Sequence, residues 1–301
     1  MARLELSVVI VTFNNKSEIG GCLRALLEEL QGSRWQLTVI DNCSEDGTRK
    51  ILEEIFPKIL NCELELICND DNIQFTRALN QGLKKSAGDY ILILNPDTRV
   101  RRSSIGILKK SLRDNPHVGV TAPQLLNANG AVQPSCRRFP RRRDVLFEVT
   151  GLSRLFKRSK VFSCWKMGDF DHLERRYVDQ PQGACLFCRR DVLEVVGLWD
   201  EGFPMFFSDV DWCRRVKSAG YEILFEPAAK VVHHKGASVY QRRPAMIWSS
   251  HRSFYRYFIK HDDRPEFFVA NRLTGLVLLT SAVPRMFVAW LKKHGRNVQV
   301  A

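Results

Sequence analysis

The sequence predicts an α/β domain, a mostly parallel sheet flanked by helices, carrying a basic helical extension at its C-terminal end. Three observations lead there. Apolar, β-branched runs of strand length alternate with helix-period repeats through the first hundred residues. The residue run after each of those strands is polar. From about residue 241 onward the pattern turns helical and rich in Lys and Arg.

The elements follow in order. Residues 6–11 form an apolar strand-length run, and Ile19, Cys22, Leu23, Leu26, Leu27 and Leu30 then repeat with helical spacing up to Gly32. A second strand is expected over 37–40, a short helix over 46–55 and a third strand over 64–68. Phe75, Ala78, Leu79, Gly82 and Leu83 mark another helix, and residues 90–94 a fourth strand. Strands apolar on both faces and joined by helices imply a parallel sheet. The stretch 137–177 is aperiodic and basic, with Arg137, Arg138, Arg141, Arg142 and Arg143 crowding Pro140, and reads as an irregular or partly helical insertion over the site. Regularity returns with a strand through Cys188, a helix over 191–196, a helix opening at Ser208 or Asp209 as N-cap and ending at Gly220, and two strands, 222–225 and 230–234. The domain division expected is 1–240, with 1–100 as a nucleotide-binding half and 101–240 as an acceptor and catalytic half, followed by the extension 241–301.

Composition narrows the function classes. Of 301 residues, 45% are hydrophobic and 26% charged, which speaks against disorder. A formal net charge of +13 favours polyanions: nucleic acid, an anionic membrane face or phosphate-bearing small molecules. No nucleic-acid module or regular basic–aromatic strand pattern accompanies that charge, so nucleic acid is not the expected partner. Nine scattered cysteines do not suggest a disulfide framework and fit a reducing cytoplasm. Cys185 and Cys188 have CxxC spacing without a second pair nearby, and GACLFCR over 183–189 reads as a buried strand. No secretory signal is visible. The longest apolar stretch, 273–291, is broken by Pro284–Arg285, which suits a segment lying in the headgroup region or packed on the domain rather than spanning a bilayer.

In parallel sheets ligands bind beyond the carboxyl ends of the strands. There stand Thr12 and Asn14, then Asp41, Asn42 and Ser44, then Asn69, Asp70, Asp71 and Asn72, then Asn95, Pro96 and Asp97. The first turn, TFNNK, lacks the glycines of a dinucleotide-binding loop, and no P-loop occurs. Asp97, after Asn95–Pro96, suits a hard divalent cation, Mg²⁺ or Mn²⁺, shared with substrate phosphates; capping the next helix is the simpler alternative. Asp209 and Asp211 open a helix, where they either complement its dipole or supply a general base for an acceptor hydroxyl. Phe203, Phe206, Phe207 and Trp212 offer ring faces to a sugar. His233 and His234 end a strand, and a neutral imidazole there can ligate a metal.

Together these segments resemble the family 2, GT-A-fold (Rossmann-like) inverting glycosyltransferases, in their rhamnosyltransferase-like branch, over about residues 4–240. The carrying motifs are VVIVTFN (8–14), VIDNCSEDGT (39–48), NIQFTRALNQG (72–82), LNPD (94–97), Gly183–Ala184, FSDVDWCR (207–214) and VHHKGAS (232–238). The resemblance implies that Thr12, Asn14 and Asp41 hold the nucleobase and ribose, and that Asn72, Asn80 and Asn95 shape the donor pocket. It implies Asp97 and His233 as ligands of Mn²⁺ or Mg²⁺ and of the diphosphate, Asp209 as catalytic base and Asp211 as its support. It places QPSCRRF (133–139), with Gln133 and Arg137, near the acceptor, where Trp212 would join them. The implied partners are a nucleotide-diphosphate sugar, dTDP-rhamnose foremost, and a glycan or polyprenol-linked acceptor in cell-surface polysaccharide synthesis. An anionic membrane surface is a third, and the implied location is the cytoplasm, peripheral at the inner membrane face. A non-catalytic sugar-nucleotide or glycan binder is the alternative on the same fold, which Asp41, Asp97, Asp209 and His233 disfavour as a set. Two departures stand out: Gln74 replaces the family's usual glycine, where a special backbone angle or close approach is expected, and Ser208 replaces its usual glutamate.

Overall fold

The computed structural model describes residues 4–59, 62–234, 243–262 and 264–297. In chain order the elements are β1 (Leu6–Thr12), α1 (Ile19–Glu29), β2 (Trp35–Asp41), α2 (Thr48–Ile55), β3 (Cys62–Cys68), α3 (Phe75–Lys85) and β4 (Tyr90–Leu94). Then come β5 (Thr98–Val100), α4 (Ser104–Asp114), β6 (Val118–Leu126), β7 (Cys136–Arg137), α5 (Arg142–Thr150), α6 (Leu152–Leu155), β8 (Arg176–Tyr177) and β9 (Gln180–Pro181). The remainder is β10 (Cys185–Arg189), α7 (Arg190–Val196), α8 (Ser208–Ser218), β11 (Glu222–His233), α9 (Arg243–His261) and α10 (Phe268–Asn297).

The main sheet runs β3-β2-β1-β4-β10-β6-β11-β5, with β8 beside β11. The β3-β2-β1-β4 half is parallel, as is β6 with β11, while β10 lies antiparallel between β4 and β6. Strand alternation sends Leu6, Val8 and Ile10 into one core with α1, α2 and α4, and Val9 and Val11 into the other with α3, α7 and α8. The same alternation settles the CxxC pair. Cys185 and Cys188 point into opposite cores, both buried, so they share no ligand; burial pushes the Cys188 thiol up to about 12. A third cluster joins α5, α8, α9 and α10 through Val145, Phe207, Val210, Phe254, Tyr257, Phe258 and Leu278. Burying each of those aromatics contributes about 1.5–3 kcal/mol, which binds the extension to the sheet domain.

Several expectations change. The two strands 222–225 and 230–234 are one strand, β11 (Glu222–His233), with a register shift at Pro227–Ala229, where the flanking Glu226 and Lys230 interrupt the apolar pattern. Helix α8 is capped not by Ser208 or Asp209 but at Phe207, which adopts φ 66°, and the Ser208 hydroxyl donates to Met205 O at 2.7 Å instead. Pro284 does not break the last helix: α10 continues through it, and residues 265–287 are long and apolar enough, by length and composition, to cross a bilayer. Strand β6 contains Pro123, which pairs with Glu226 at the register shift of β11, where the regular ladder is already interrupted.

Candidate active site

The loops after β1 and β2 are knitted to each other. Asn14 N–H donates to the Ser44 hydroxyl at 2.9 Å, and the Asn14 side chain accepts from Glu45 N–H at 2.9 Å. Ser44 donates to Asp41 through its hydroxyl and, at 3.3 Å, its N–H, so the buried Asp41 carboxylate is held at the mouth of β2. Asn42 donates to Asn72 Oδ1 at 2.9 Å, and Asn72 Oδ1 also accepts Gln74 N–H at 3.0 Å. Asn72 therefore shapes the backbone at Gln74, which sits at φ 76°, ψ 157°. That region is essentially reserved for glycine and costs about 1–3 kcal/mol for any other residue. The special angle expected from the family's glycine is thus present here, with a glutamine forced into it.

Asp97 lies two residues beyond Asn95 and faces His233, with Nε2 to Oδ1 at 3.4 Å. Gln133 decides how that histidine is turned. Its amide nitrogen donates to His233 O at 2.7 Å and Leu126 O at 3.3 Å, so its oxygen must face His233 Nδ1, 3.2 Å away. An amide oxygen only accepts, so Nδ1 carries the hydrogen, and the Nε2 lone pair of the neutral form of the ring faces Asp97. Asp97 Oδ1 is itself buried without a hydrogen-bond partner. Two acceptors converging on one space, one of them orphaned, fit a divalent cation that takes its remaining oxygens from phosphates and water. Among the described residues no group of three or more His, Cys, Asp or Glu side chains is placed to hold a metal ion; Asp97 and His233 are a pair that could share one. Residues 235–238 of the VHHKGAS motif lie outside the described residues.

Asp209 stands at the start of α8 and turns back onto the sheet. Its Oδ2 accepts from Gln180 Nε2 at 3.0 Å and Gly183 N–H at 3.1 Å, and its Oδ1 accepts from Val210 N–H at 2.9 Å. Burial raises its carboxyl above the usual carboxylate range, while those N–H groups and the Arg137 charge pull the other way. A Cβ on Gly183 would stand 3.1 Å from Asp209 Cβ, so glycine permits this approach. The two centres are linked through the sheet: Asn95 N–H donates to Ala184 O at 2.9 Å, and Gly183, next to Ala184, holds Asp209. Arg137, paired with Gln180 across β7–β9, lies half-buried with its guanidinium 5.5 Å from the Trp165 ring centroid.

Other expected site residues are placed elsewhere. Thr12 is fully buried, its hydroxyl turned to Asn15 Oδ1 at 3.3 Å, so it braces the first loop. Asn80 donates to Trp199 O at 2.9 Å and to Glu201 at 3.1 Å and accepts Trp199 N–H at 3.1 Å, a buried tie between α3 and the 197–203 loop. Gln133 is buried and orients His233 rather than meeting an acceptor. Trp212 is fully buried, 5.7 Å from Trp199 in a stacked pair, and presents no face to a sugar; Phe203 and Phe207 are core residues as well. Asp211 cannot support Asp209, because residues two apart on a helix point about 200° apart. It bonds Arg215 at 3.0 Å, Lys260 at 2.6 Å and His261 at 2.9 Å, joining α8 to α9. Burial would raise its carboxyl, but the hydrogen bonds from His261 and Lys260 and the Arg215 charge hold it below the usual value. Gln180 had no signal in the sequence: its role appears only when β9 passes α8.

The model of the family described as "Glycosyl transferase family 2" matches residues 7–168, more than half of the chain. The chain belongs to that family. It is 28% identical over 227 residues to an N-acetylglucosaminyl-diphospho-decaprenol L-rhamnosyltransferase of Mycobacterium tuberculosis, covering 71% of each sequence. It is 25% identical over 224 residues to a glycosyltransferase of Haloferax volcanii, covering 73% of this chain and 64% of that protein. Among solved structures it resembles a mannosyltransferase from Pyrobaculum calidifontis in complex with GDP-Man and Mn²⁺, with TM-score 0.59 and 17% identity over 100% of this chain and 82% of that one. The fold of this family 2 chain is accordingly GT-A.

Proposed function

We propose that this glycosyltransferase is an inverting rhamnosyltransferase. It would take rhamnose from dTDP-rhamnose and pass it to a hydroxyl of a polyprenol-linked glycan at the cytoplasmic face of the membrane, in cell-surface polysaccharide synthesis. The observation that carries the reading is the pairing of Asp209, a half-buried carboxylate with a raised pKa, with the Asp97–His233 acceptor pair across β4–β10. The rhamnosyl donor and the diphospho-polyprenol acceptor are supported by the mycobacterial relative, whose name carries both.

In this reading residues 1–100 form the donor half, with Asn14, Asp41, Asn72 and Asn95 around the nucleotide, and 101–240 the acceptor half, with Arg137 beside Asp209. Residues 241–301 form the extension. Asp97 and His233 would hold Mn²⁺ or Mg²⁺, which would supply positive charge to offset that of the departing nucleoside diphosphate; Mn²⁺ in two glycosyltransferases of similar fold supports a divalent metal. Gln180 and Gly183 orient the Asp209 carboxylate. Asp209 takes the proton of the acceptor hydroxyl as its oxygen attacks the anomeric carbon from the face opposite the leaving group, and the configuration inverts.

A thermal-shift screen of nucleoside diphosphates and their sugars, with and without Mn²⁺, tests the donor site. A Mn²⁺-dependent rise selective for thymidine is expected, followed by transfer of rhamnose to a diphospho-polyprenol glycan. A folded protein that responds to no nucleotide sinks the proposal.

A further inference from the structure

Helix α10 is apolar on two sides. Its inner side, with Leu278 and Ala282, is buried against the domain. Its outer side carries Val269, Leu273, Leu276, Val283, Phe287 and Trp290, each between 48% and 65% exposed. With Thr280 in the gap their spacing alternates four and three, a straight stripe about 32 Å long. Trp248, Val283 and Met286 line an open apolar groove of about 370 Å³ at its flank.

The helix cannot leave the domain to cross a bilayer while its ends remain tied down. Arg142 donates to Asn271 Oδ1 at 2.8 Å, and Asn271 donates to Asp262 O at 2.9 Å. Further along, Arg285 donates to Glu148 O at 3.1 Å and lies 3.2 Å from His251 Nε2. Beside this second tie stands α6 with the turn after it. Leu155, Phe156 and Val161 are 74%, 46% and 52% exposed there, among the exposed Arg154, Lys157, Arg158 and Lys160. Lys166 bonds both Glu148, at 2.7 Å, and Ser153 of α6, at 3.5 Å, which places this prong at the Arg285 end of the stripe.

Charge selects the occupant. Residues 268–297 contain no Asp or Glu but include Arg272, Arg285, Lys292, Lys293 and Arg296. A second copy packed along the stripe would bring like charges together with no acidic flank to pair them. Anionic headgroups complement both the flank and the prong, and an interfacial helix buries an apolar face while its basic residues meet the headgroups.

We propose that the outer stripe of α10 and the 152–161 prong form one surface that beds in the headgroup layer of an anionic phospholipid bilayer, with α10 in the membrane plane. The proposal rests on the lipid-linked acceptor reading for its purpose and not for its physics. The full chain is floated with phosphatidylcholine vesicles, with and without phosphatidylglycerol, at low and high salt. Flotation is expected with the anionic vesicles and weakened by salt. The pair Leu155→Ser/Phe156→Ser and the pair Leu273→Ser/Phe287→Ser should each lower partitioning by roughly tenfold or more, since several exposed apolar side chains lose their burial. Removing Lys157 and Arg158 should lower it by about thirtyfold. All these side chains are exposed, so unchanged melting temperatures and unchanged nucleotide shifts certify the fold.

No flotation on anionic vesicles at low salt overturns the proposal. So does flotation indifferent to the prong, or a dimer in solution that Phe287→Ser converts to monomer. Lost flotation with nucleotide binding intact removes only the docking surface; flotation without any nucleotide response removes only the transferase reading.

Discussion

Replacing Gln133 with leucine tests the centre of the site without touching a proposed ligand. The side chain is buried and bonds His233 O at 2.7 Å, Leu126 O at 3.3 Å and His233 Nδ1 at 3.2 Å. Leucine is close in size but offers no polar atom. The Nδ1 hydrogen then loses its acceptor and the ring is free to turn or to change tautomer, which removes the Nε2 lone pair from Asp97. Loss of such an orienting partner typically weakens metal binding about 10–100-fold, or about 1.4–2.8 kcal/mol. The orphaned carbonyls and Nδ1 should also destabilise the fold by about 1–3 kcal/mol. Mn²⁺ titrations followed by electron paramagnetic resonance, with dTDP present, give the affinity, and urea unfolding gives the stability separately. Transfer at saturating Mn²⁺ should recover much of its kcat. Unchanged Mn²⁺ affinity in a destabilised but folded Gln133→Leu protein would show that Gln133 only supports the fold and that His233 is not a ligand.

Further outcomes are expected from the same geometry. Asp209→Asn should reduce transfer by roughly 10²–10⁴-fold while the donor still raises the melting temperature, because only the proton acceptor is lost. The raised Asp209 pKa means that activity falls with decreasing pH earlier than for an exposed aspartate, and Gln180→Leu, by removing a donor to the ionised form, should move that acid limb to higher pH in a kcat/KM profile. Asp211→Asn should cost about 1–3 kcal/mol in urea unfolding by weakening the bonds from Arg215, Lys260 and His261, since Lys260 keeps Asp200 and Arg215 keeps the Val196 and Leu198 carbonyls, yet leave kcat nearly unchanged. The sign for pH follows from its lowered folded pKa: the stability Asp211 contributes is present above its unfolded pKa and lost as pH falls through the folded one. Gln74→Gly should stabilise the protein by about 0.5–2 kcal/mol, the relief of backbone strain less the extra chain entropy of glycine.

The sequence by itself determined the parallel half of the sheet, because periodicity is a local signal: residues 6–11 alternate between two cores whatever surrounds them. It also placed Asp41, Asp97, Asp209 and His233 at element ends, where a short polar run follows an apolar one. Only the tertiary structure decided which polar residues face a ligand space and which serve the scaffold. Asn80, Gln133 and Asp211 carry the same amide and carboxylate chemistry as the site residues. What separates them is the partner each meets: the Trp199 backbone, the His233 ring, and the basic end of α9. Those partners lie 49 to 119 residues away in the chain, beyond any local pattern. The same holds for α10. Its composition marks it as apolar, but its ties through Asn271 and Arg285 are what lay it along the domain and turn one apolar stripe outward.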